Sequence, residues 1–171
     1  MSKQSTGEGV AGRASGAGAG RGPGPADAVI VLGPPTWPPP PFDRGVRDDG
    51  RTVVVSAGRP PAGESAAEPD AVVRLGAGGG ANAVAIDDLT GLSMRLDEAL
   101  GAGEGGLLRF DDLGRMAVTC DVPRLVRFLQ LELSRATHAG YAVLARFEPG
   151  MVGTRTKEAV TATFDRRLDA P

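Results

Sequence analysis

Residues 107–120 read LLRFDDLGRMAVTC, and this stretch decides which fold the sequence predicts. Two apolar runs flank Asp111-Asp112-Leu113-Gly114, and Asp and Gly are residues that tight turns prefer. Gly114 suits the left-handed position of such a turn. We therefore predict a hairpin of two antiparallel strands.

Amphipathic helices are predicted on both sides of this hairpin. Before it, Asp87 or Asp88 caps a helix whose leucines recur at helical spacing and which stops at Gly101. After it, Asp121 caps a second helix that ends at Gly140. Each helix begins with a side-chain acceptor and ends at a residue that tolerates a left-handed backbone.

Two further apolar runs, Ala83–Ile86 and residues 141–147, read as strands. Residues 83–147 then have the order β-α-β-β-α-β, which is the split βαβ, ferredoxin-like arrangement. We expect an α+β fold, with two helices on one face of an antiparallel sheet. Threonines alternate with apolar residues in 156–168 and favour a strand there over a helix. The strands expected to extend the sheet are 28–32, 52–57, 71–75 and 156–165.

Glycine and proline divide the chain into unequal parts. There are 26 glycines and 14 prolines, most of them before residue 81. Residues 1–26 lack bulky side chains, so we expect a disordered tail. Residues 27–70 read as a Pro/Gly-rich arm with short strands, and 71–171 as the α+β core domain. The run at 33–42, GPPTWPPPPF, favours polyproline II and either covers the chain's own core or docks on a partner.

The composition excludes several kinds of chemistry. The net charge of −2 argues against wrapping of a polyanion, and one cysteine and one histidine exclude a disulfide and a Cys- or His-rich zinc site. Cys120 and His138 bracket a helix of roughly 25 Å, too far apart for proton transfer. The N-terminus has no signal-peptide pattern and no run is long enough for a membrane span, so we expect a cytoplasmic protein. No catalytic residue, metal or cofactor is predicted, and a non-enzymatic role is favoured.

Adjacent acids such as Asp111 and Asp112 are interpreted as structural. Neighbouring side chains point apart on helices and strands alike, which disfavours a shared metal or an acid–base pair. Asp at turns and helix starts is wanted for local hydrogen bonds.

A glycine run at 76–80 is the first candidate for ligand binding. A strand followed by Gly76, Gly78, Gly79 and Gly80 is similar to a dinucleotide-binding turn, in which glycines let the backbone approach a pyrophosphate. The spacing departs from the fingerprint because Ala81 stands at its last position. The alternatives are a flexible loop and a small-molecule or nucleotide-binding domain, possibly an enzyme, that uses this loop.

The second helix carries the leading functional prediction. Phe128 and Leu131 fall beside Arg124, Arg127 and Arg135, on the side expected to face water. Exposed aromatic residues with arginine are typical of protein interfaces. We therefore predict a module that binds a protein partner or itself through this strip, unless the proline-rich arm or the C-terminal segment covers it. The core face of the helix is expected to hold Val122, Leu125, Val126, Leu129, Leu133 and Ala136.

Weak nucleic-acid binding is a second alternative. An RNA-recognition fold shares the predicted order of elements, but it stacks bases on aromatics of its central strands, and RMAVTC at 115–120 has none. Nucleic acid is therefore a disfavoured partner. The arginines that would serve it are Arg124, Arg127, Arg135, Arg155, Arg166 and Arg167.

Overall fold

The computed structural model describes five stretches of the chain, which are residues 27–33, 50–58, 69–76, 83–101 and 105–169. In chain order their elements are β1 (Ala28–Leu32), β2 (Arg51–Ser56), β3 (Ala71–Gly76), β4 (Ala83–Ala85), α1 (Leu89–Leu100), β5 (Gly106–Phe110), α2 (Leu113–Thr119), α3 (Val122–His138), β6 (Tyr141–Phe147), a 3-10 helix (Pro149–Met151), α4 (Thr154–Thr161) and β7 (Arg166–Asp169).

The seven strands form one parallel sheet, in the order β4-β3-β2-β5-β6-β1-β7. The predicted antiparallel, ferredoxin-like sheet of an α+β fold with two helices is therefore wrong. The chain has an α/β, Rossmann-like arrangement instead. Its strands carry the signature of a parallel sheet, since β1, β5 and β6 are near-continuous apolar runs buried on both faces. The prediction followed the order of the elements and overlooked this lack of alternation.

The predicted hairpin at 107–120 is a strand followed by a helix. β5 takes the first apolar run, and the second run forms α2. In the second run, buried side chains recur at intervals of three and four residues, which is the period of a helix. The buried positions are Leu113, Met116, Ala117 and Cys120.

Gly114 has a packing role in place of the predicted turn role. It lies inside α2, and its backbone is not in the left-handed region. A Cβ at this position would lie 3.3 Å from the backbone nitrogen of Glu148 and from the sulfur of Met151. The missing side chain lets α2 approach the segment that follows β6.

The predicted strand at 156–168 is also wrong, because α4 and β7 occupy this segment. Val160 and Phe164 are both buried and stand four residues apart, about one helical turn. The Thr161 hydroxyl donates to the Lys157 carbonyl at 2.9 Å, which is a partner that only a helical backbone supplies.

Other local predictions are confirmed. The strands at 28–32, 71–75 and 141–147 are present as β1, β3 and β6. Asp88 caps α1 by accepting from the Gly91 N–H at 2.8 Å, and Asp121 caps α3 in the same way. Capping depends on residues close in sequence, which is why these boundaries could be read directly.

The four described helices all contribute to one large apolar cluster on one face of the sheet. A smaller apolar cluster lies on the opposite face of the sheet and contains Val29, Val31, Leu107, Ala142 and Leu144. β1 and β2 belong to the segment 27–70, and both are interior strands of the sheet. The sheet therefore contains strands from that segment as well as from residues 71–171. The predicted tail at 1–26 and the proline-rich run at 34–42 lie outside the described residues. In the described ranges no helix is both long and apolar enough to cross a membrane.

Candidate functional site

The strand order reverses its direction between β2 and β5, which are neighbours in the sheet. From β2 the order continues outward to β3 and β4, whereas from β5 it continues to β6 on the other side. Open parallel sheets bind ligands in the crevice outside the carboxyl ends of the strands at such a switch point. The residues that follow β2 and β5 therefore form the candidate site.

Asp112 connects the ends of these two strands. Its Oδ2 accepts a hydrogen bond from the Ala57 N–H at 2.7 Å and lies 3.1 Å from the hydroxyl oxygen of Ser56, which donates to it. Asp112 directly precedes α2, yet its side chain makes no capping bond to that helix. The carboxylate instead holds the segment after β2 against the start of α2.

Asp111 has different partners from those of Asp112. Its N–H donates to the Val55 carbonyl at 2.9 Å, and its carboxylate pairs with Arg109, with 2.8 Å between Nε and Oδ1 and 3.1 Å between Nη2 and Oδ2. Both side chains of the pair are largely buried. The two adjacent acids thus act separately, each in a structural contact.

A cavity of about 570 Å³ opens beside these loops, and we call it the switch-point crevice. Small-molecule pockets have volumes of roughly 300–1,000 Å³. Arg74 of β3 is aligned with Ser56 of β2 and is exposed. Arg74 makes no hydrogen bond or ion pair with any residue that the structure describes. The crevice is lined by Ser56, Ala57, Gly58, Arg74 and Leu75.

Of the predicted glycine loop, only Gly76 can be placed. It ends β3, at the same edge of the sheet as the crevice, while Gly78, Gly79 and Gly80 lie outside the described residues. The next described element is the strand β4, whereas a dinucleotide fingerprint leads into a helix.

Phe128 is buried within the chain and belongs to the large apolar cluster. Glu132 and Arg135 follow it four and seven residues later, so the three share one flank of α3. That flank faces α1, because Glu132 accepts a hydrogen bond from the Ser93 hydroxyl at 2.5 Å and Arg135 Nη1 lies 3.7 Å from Asp97 Oδ1. Two of the five residues of the predicted strip, Phe128 and Arg135, thus lie on the flank of α3 that faces α1.

Leu131 is the apolar member of the strip that stays on the surface, at 55 % exposure. Arg124 and Arg127 are exposed beside it, while Val122 and Val126 of the expected core face are only half-buried. The buried face of α3 is therefore rotated toward α1 relative to the prediction.

The six arginines considered for nucleic-acid binding are divided between α3, α4 and β7. Three of them have acidic neighbours within 4 Å: Arg135 has Asp97 and Glu132, Arg166 has Asp27, and Arg167 has Asp169. Arg124, Arg127 and Arg155 are exposed.

Cys120 and His138 lie at opposite ends of α3, as expected. The Cys120 thiol donates to the Ile86 carbonyl at 3.2 Å, and burial raises its pKa, with Asp87 adding to the rise and Arg124 opposing it. His138 is exposed. The described part of the chain contains no group of three or more His, Cys, Asp or Glu side chains that could hold a metal ion.

Sequence reasoning missed Ser56 and Arg74. Each is a polar residue near the carboxyl end of an apolar strand, and that position was the available signal. Ser56 and Arg74 lie next to each other because β2 and β3 are in parallel register, and local sequence patterns do not contain this register.

A scan against protein-family models and searches of curated proteins and of solved structures return no match to this chain.

Proposed function

We propose that the protein binds a small molecule in the switch-point crevice. The observation that carries the proposal is the position of the cavity at the carboxyl ends of β2 and β3, because β2 is one of the two strands between which the order reverses. Open parallel sheets bind ligands outside the carboxyl ends of their strands, which is where this cavity lies.

The polar groups around the crevice support binding in preference to catalysis. The Asp112 carboxylate and the Ser56 hydroxyl already bond to each other, and Ser56 is almost completely buried. A serine hydroxyl bonded to a carboxylate has the geometry of a nucleophile beside its base, but the burial of Ser56 keeps its oxygen away from a substrate. We therefore interpret these groups as a rigid wall that shapes the cavity.

Gly58 offers a direct test, because a Cβ at this position would meet nothing within 4 Å. Because Gly58 lines the crevice, Gly58→Leu should add a side chain at its wall without a clash between the Cβ and any described atom. Gly150→Leu is the matched control, since Gly150 also faces open space and does not line the crevice.

The measurement is a thermal-shift screen of metabolites and nucleotides on the wild type and both variants. A ligand at 100 times its Kd stabilises the folded state by about 2.7 kcal/mol. The wild type and Gly150→Leu should share at least one stabilising compound, and Gly58→Leu should lose that shift. An equal shift in Gly58→Leu would refute the crevice as the site.

The outer side of α3 supports a second candidate, docking of a protein or of another copy of this chain. Leu131 and Met94 are both largely exposed, on two helices that contact each other, and Arg124 and Arg127 stand nearby on α3. Arginine is enriched in interface hot spots, and Leu131 and Met94 supply exposed apolar area beside the two arginines.

Sedimentation velocity over a range of concentrations tests the self-association form of this candidate. Leu131→Asp should shift the chain toward the monomer, whereas Gln130→Asp, at the exposed neighbouring position, should not. A wild-type chain that stays monomeric at every concentration would contradict self-association.

A further inference from the structure

The acidic side chains near the switch-point crevice have bonding partners, whereas Arg74 has none among the described residues. Asp112 accepts two hydrogen bonds and Asp111 is paired with Arg109, so both carboxylates have partners. Among the described residues that line the crevice, Arg74 is the one with an ionic side chain. The wall of the cavity therefore offers a positive charge that no described residue neutralises.

Arg74 differs in this respect from its nearest comparable neighbour. A second cavity of about 590 Å³ lies along the first half of β3 and is bordered by Arg95 and Glu98 of α1 as well as by Arg74. Arg95 Nη1 donates to Glu98 Oε2 at 3.0 Å, so its charge is already paired. Of the two described arginines that line these cavities, Arg74 is the one without an ionic partner among the described residues.

The guanidinium group has a defined chemical preference. It is planar, stays protonated and presents a fork of N–H donors that matches the oxygens of a carboxylate or phosphate. Bonds of this kind between two charged groups are stronger than neutral ones. The other described residues that line the crevice, among them Ala57 and Leu75, are uncharged.

We propose that the ligand of the switch-point crevice is a small molecule with an oxyanion group, phosphate or carboxylate, that Arg74 binds. The proposal rests on the function proposed above and adds the chemical class of the ligand. The volume of the crevice leaves room for an uncharged body beside the oxyanion.

The test is isothermal titration calorimetry with probes that differ in the oxyanion. Adenosine 5′-monophosphate against adenosine is the phosphate arm, and benzoate against benzamide is the carboxylate arm. The charged member of at least one pair should bind the wild type more tightly. Arg74→Gln should weaken that binding by about 10- to 100-fold and leave the neutral member unchanged.

Arg95→Gln is the matched control, since it removes the same charge from the neighbouring cavity. It should change the affinity less than twofold, and Arg74→Lys should fall between Arg74→Gln and the wild type. An equal loss in Arg95→Gln would overturn the role of Arg74, because it would indicate a general effect of charge. Failure of both charged probes to bind the wild type would also overturn the proposal.

The failures of the two proposals are distinguishable. If Arg74→Gln binds the charged probe normally while Gly58→Leu still abolishes binding, the crevice remains the site and the oxyanion contact is refuted. If Gly58→Leu binds as the wild type does, the site itself is refuted.

Discussion

The two ends of the same sheet are built in different ways. At the amino end the strands are joined through backbone groups: the Arg51 N–H donates to the Gly105 carbonyl at 3.2 Å, and the Gly106 N–H to the Gly140 carbonyl at 3.4 Å. Glycines allow these close approaches, because a Cβ on Gly106 would collide with the backbone of Arg51.

At the carboxyl end no such close glycine contact among the described residues joins β2 to the segment after β5, where side-chain bonds add to the backbone bond from the Asp111 N–H to the Val55 carbonyl at 2.9 Å. Asp112 bonds to Ser56 and to the Ala57 N–H, and Arg109 pairs with Asp111. Beside these contacts lie the crevice and the guanidinium of Arg74, which makes no ion pair with any residue that the structure describes. The difference teaches that the amino end serves the stability of the fold, while the carboxyl end has room and charge for a ligand.

The largest expected effect is at the amino end, in Gly106→Ala. Gly106 has φ of 149°, in the region that L side chains rarely adopt, and the new methyl would strike the Arg51 carbonyl oxygen. Backbone strain and overpacking together should cost about 3 kcal/mol or more of the free energy of unfolding. Urea denaturation measures this value.

Gly150→Ala is the control for Gly106→Ala, since its Cβ would face open space. A Gly106→Ala chain as stable as the control would show that the amino end is not closed as tightly as described.

A smaller effect is expected at the carboxyl end, in Asp112→Ala. The substitution leaves the Ala57 N–H without its acceptor and leaves the Ser56 hydroxyl with the Gly58 carbonyl, at 3.2 Å, at a cost of about 1–3 kcal/mol. Asp112→Asn keeps one acceptor oxygen and should lose less. Urea denaturation compares both variants with the wild type, and equal losses in the two would contradict the hydrogen-bond account.

The smallest effect concerns Tyr141, the only tyrosine, at the amino end. Its hydroxyl donates to the Leu100 carbonyl at 2.9 Å, so Tyr141→Phe should cost about 1 kcal/mol at neutral pH. Burial raises the pKa of Tyr141, and Asp70 adds to the rise while Arg51 opposes it.

Because the pKa of Tyr141 is raised in the folded chain, the free energy of unfolding should fall as the pH rises through the alkaline range. The unfolded chain releases the phenol proton near pH ~10 while the folded chain retains it, so unfolding becomes easier above that pH. The stabilising contribution is complete below pH ~10 and is lost as the pH rises further. The wild type should lose stability in this range more steeply than Tyr141→Phe, and tyrosinate absorbance should report the delayed ionisation. Parallel pH curves for the two proteins would contradict the assignment.

The local parts of the fold could be predicted from the sequence. Asp88 and Asp121 mark the starts of α1 and α3 because capping involves residues only a few positions apart. The direction of the sheet could have been inferred from the continuous apolar runs, but their order along the chain suggested an antiparallel pattern instead. Short sequence patterns predict where single helices and strands lie, but they do not predict how the strands pair in the sheet.

The site depends on contacts that are distant in sequence. Ser56 and Asp112 meet because β2 and β5 are neighbours, and Ser56 and Arg74 because β2 and β3 are in parallel register. The burial of Phe128 likewise depends on α1 lying beside that flank of α3. A single helical wheel does not contain this information, which is why the predicted strip on α3 included one residue of the core.

The central claim is that the carboxyl end of the sheet, at the switch-point crevice, is the ligand-binding end. Amide hydrogen exchange of the full chain, with and without the most stabilising compound of the thermal-shift screen, tests it most directly. The account predicts slower exchange at residues 56–58 and 74–76 and no change at residues 105–106 and 140. Protection confined to the amino end or to the outer side of α3, with residues 56–58 unchanged, would contradict it.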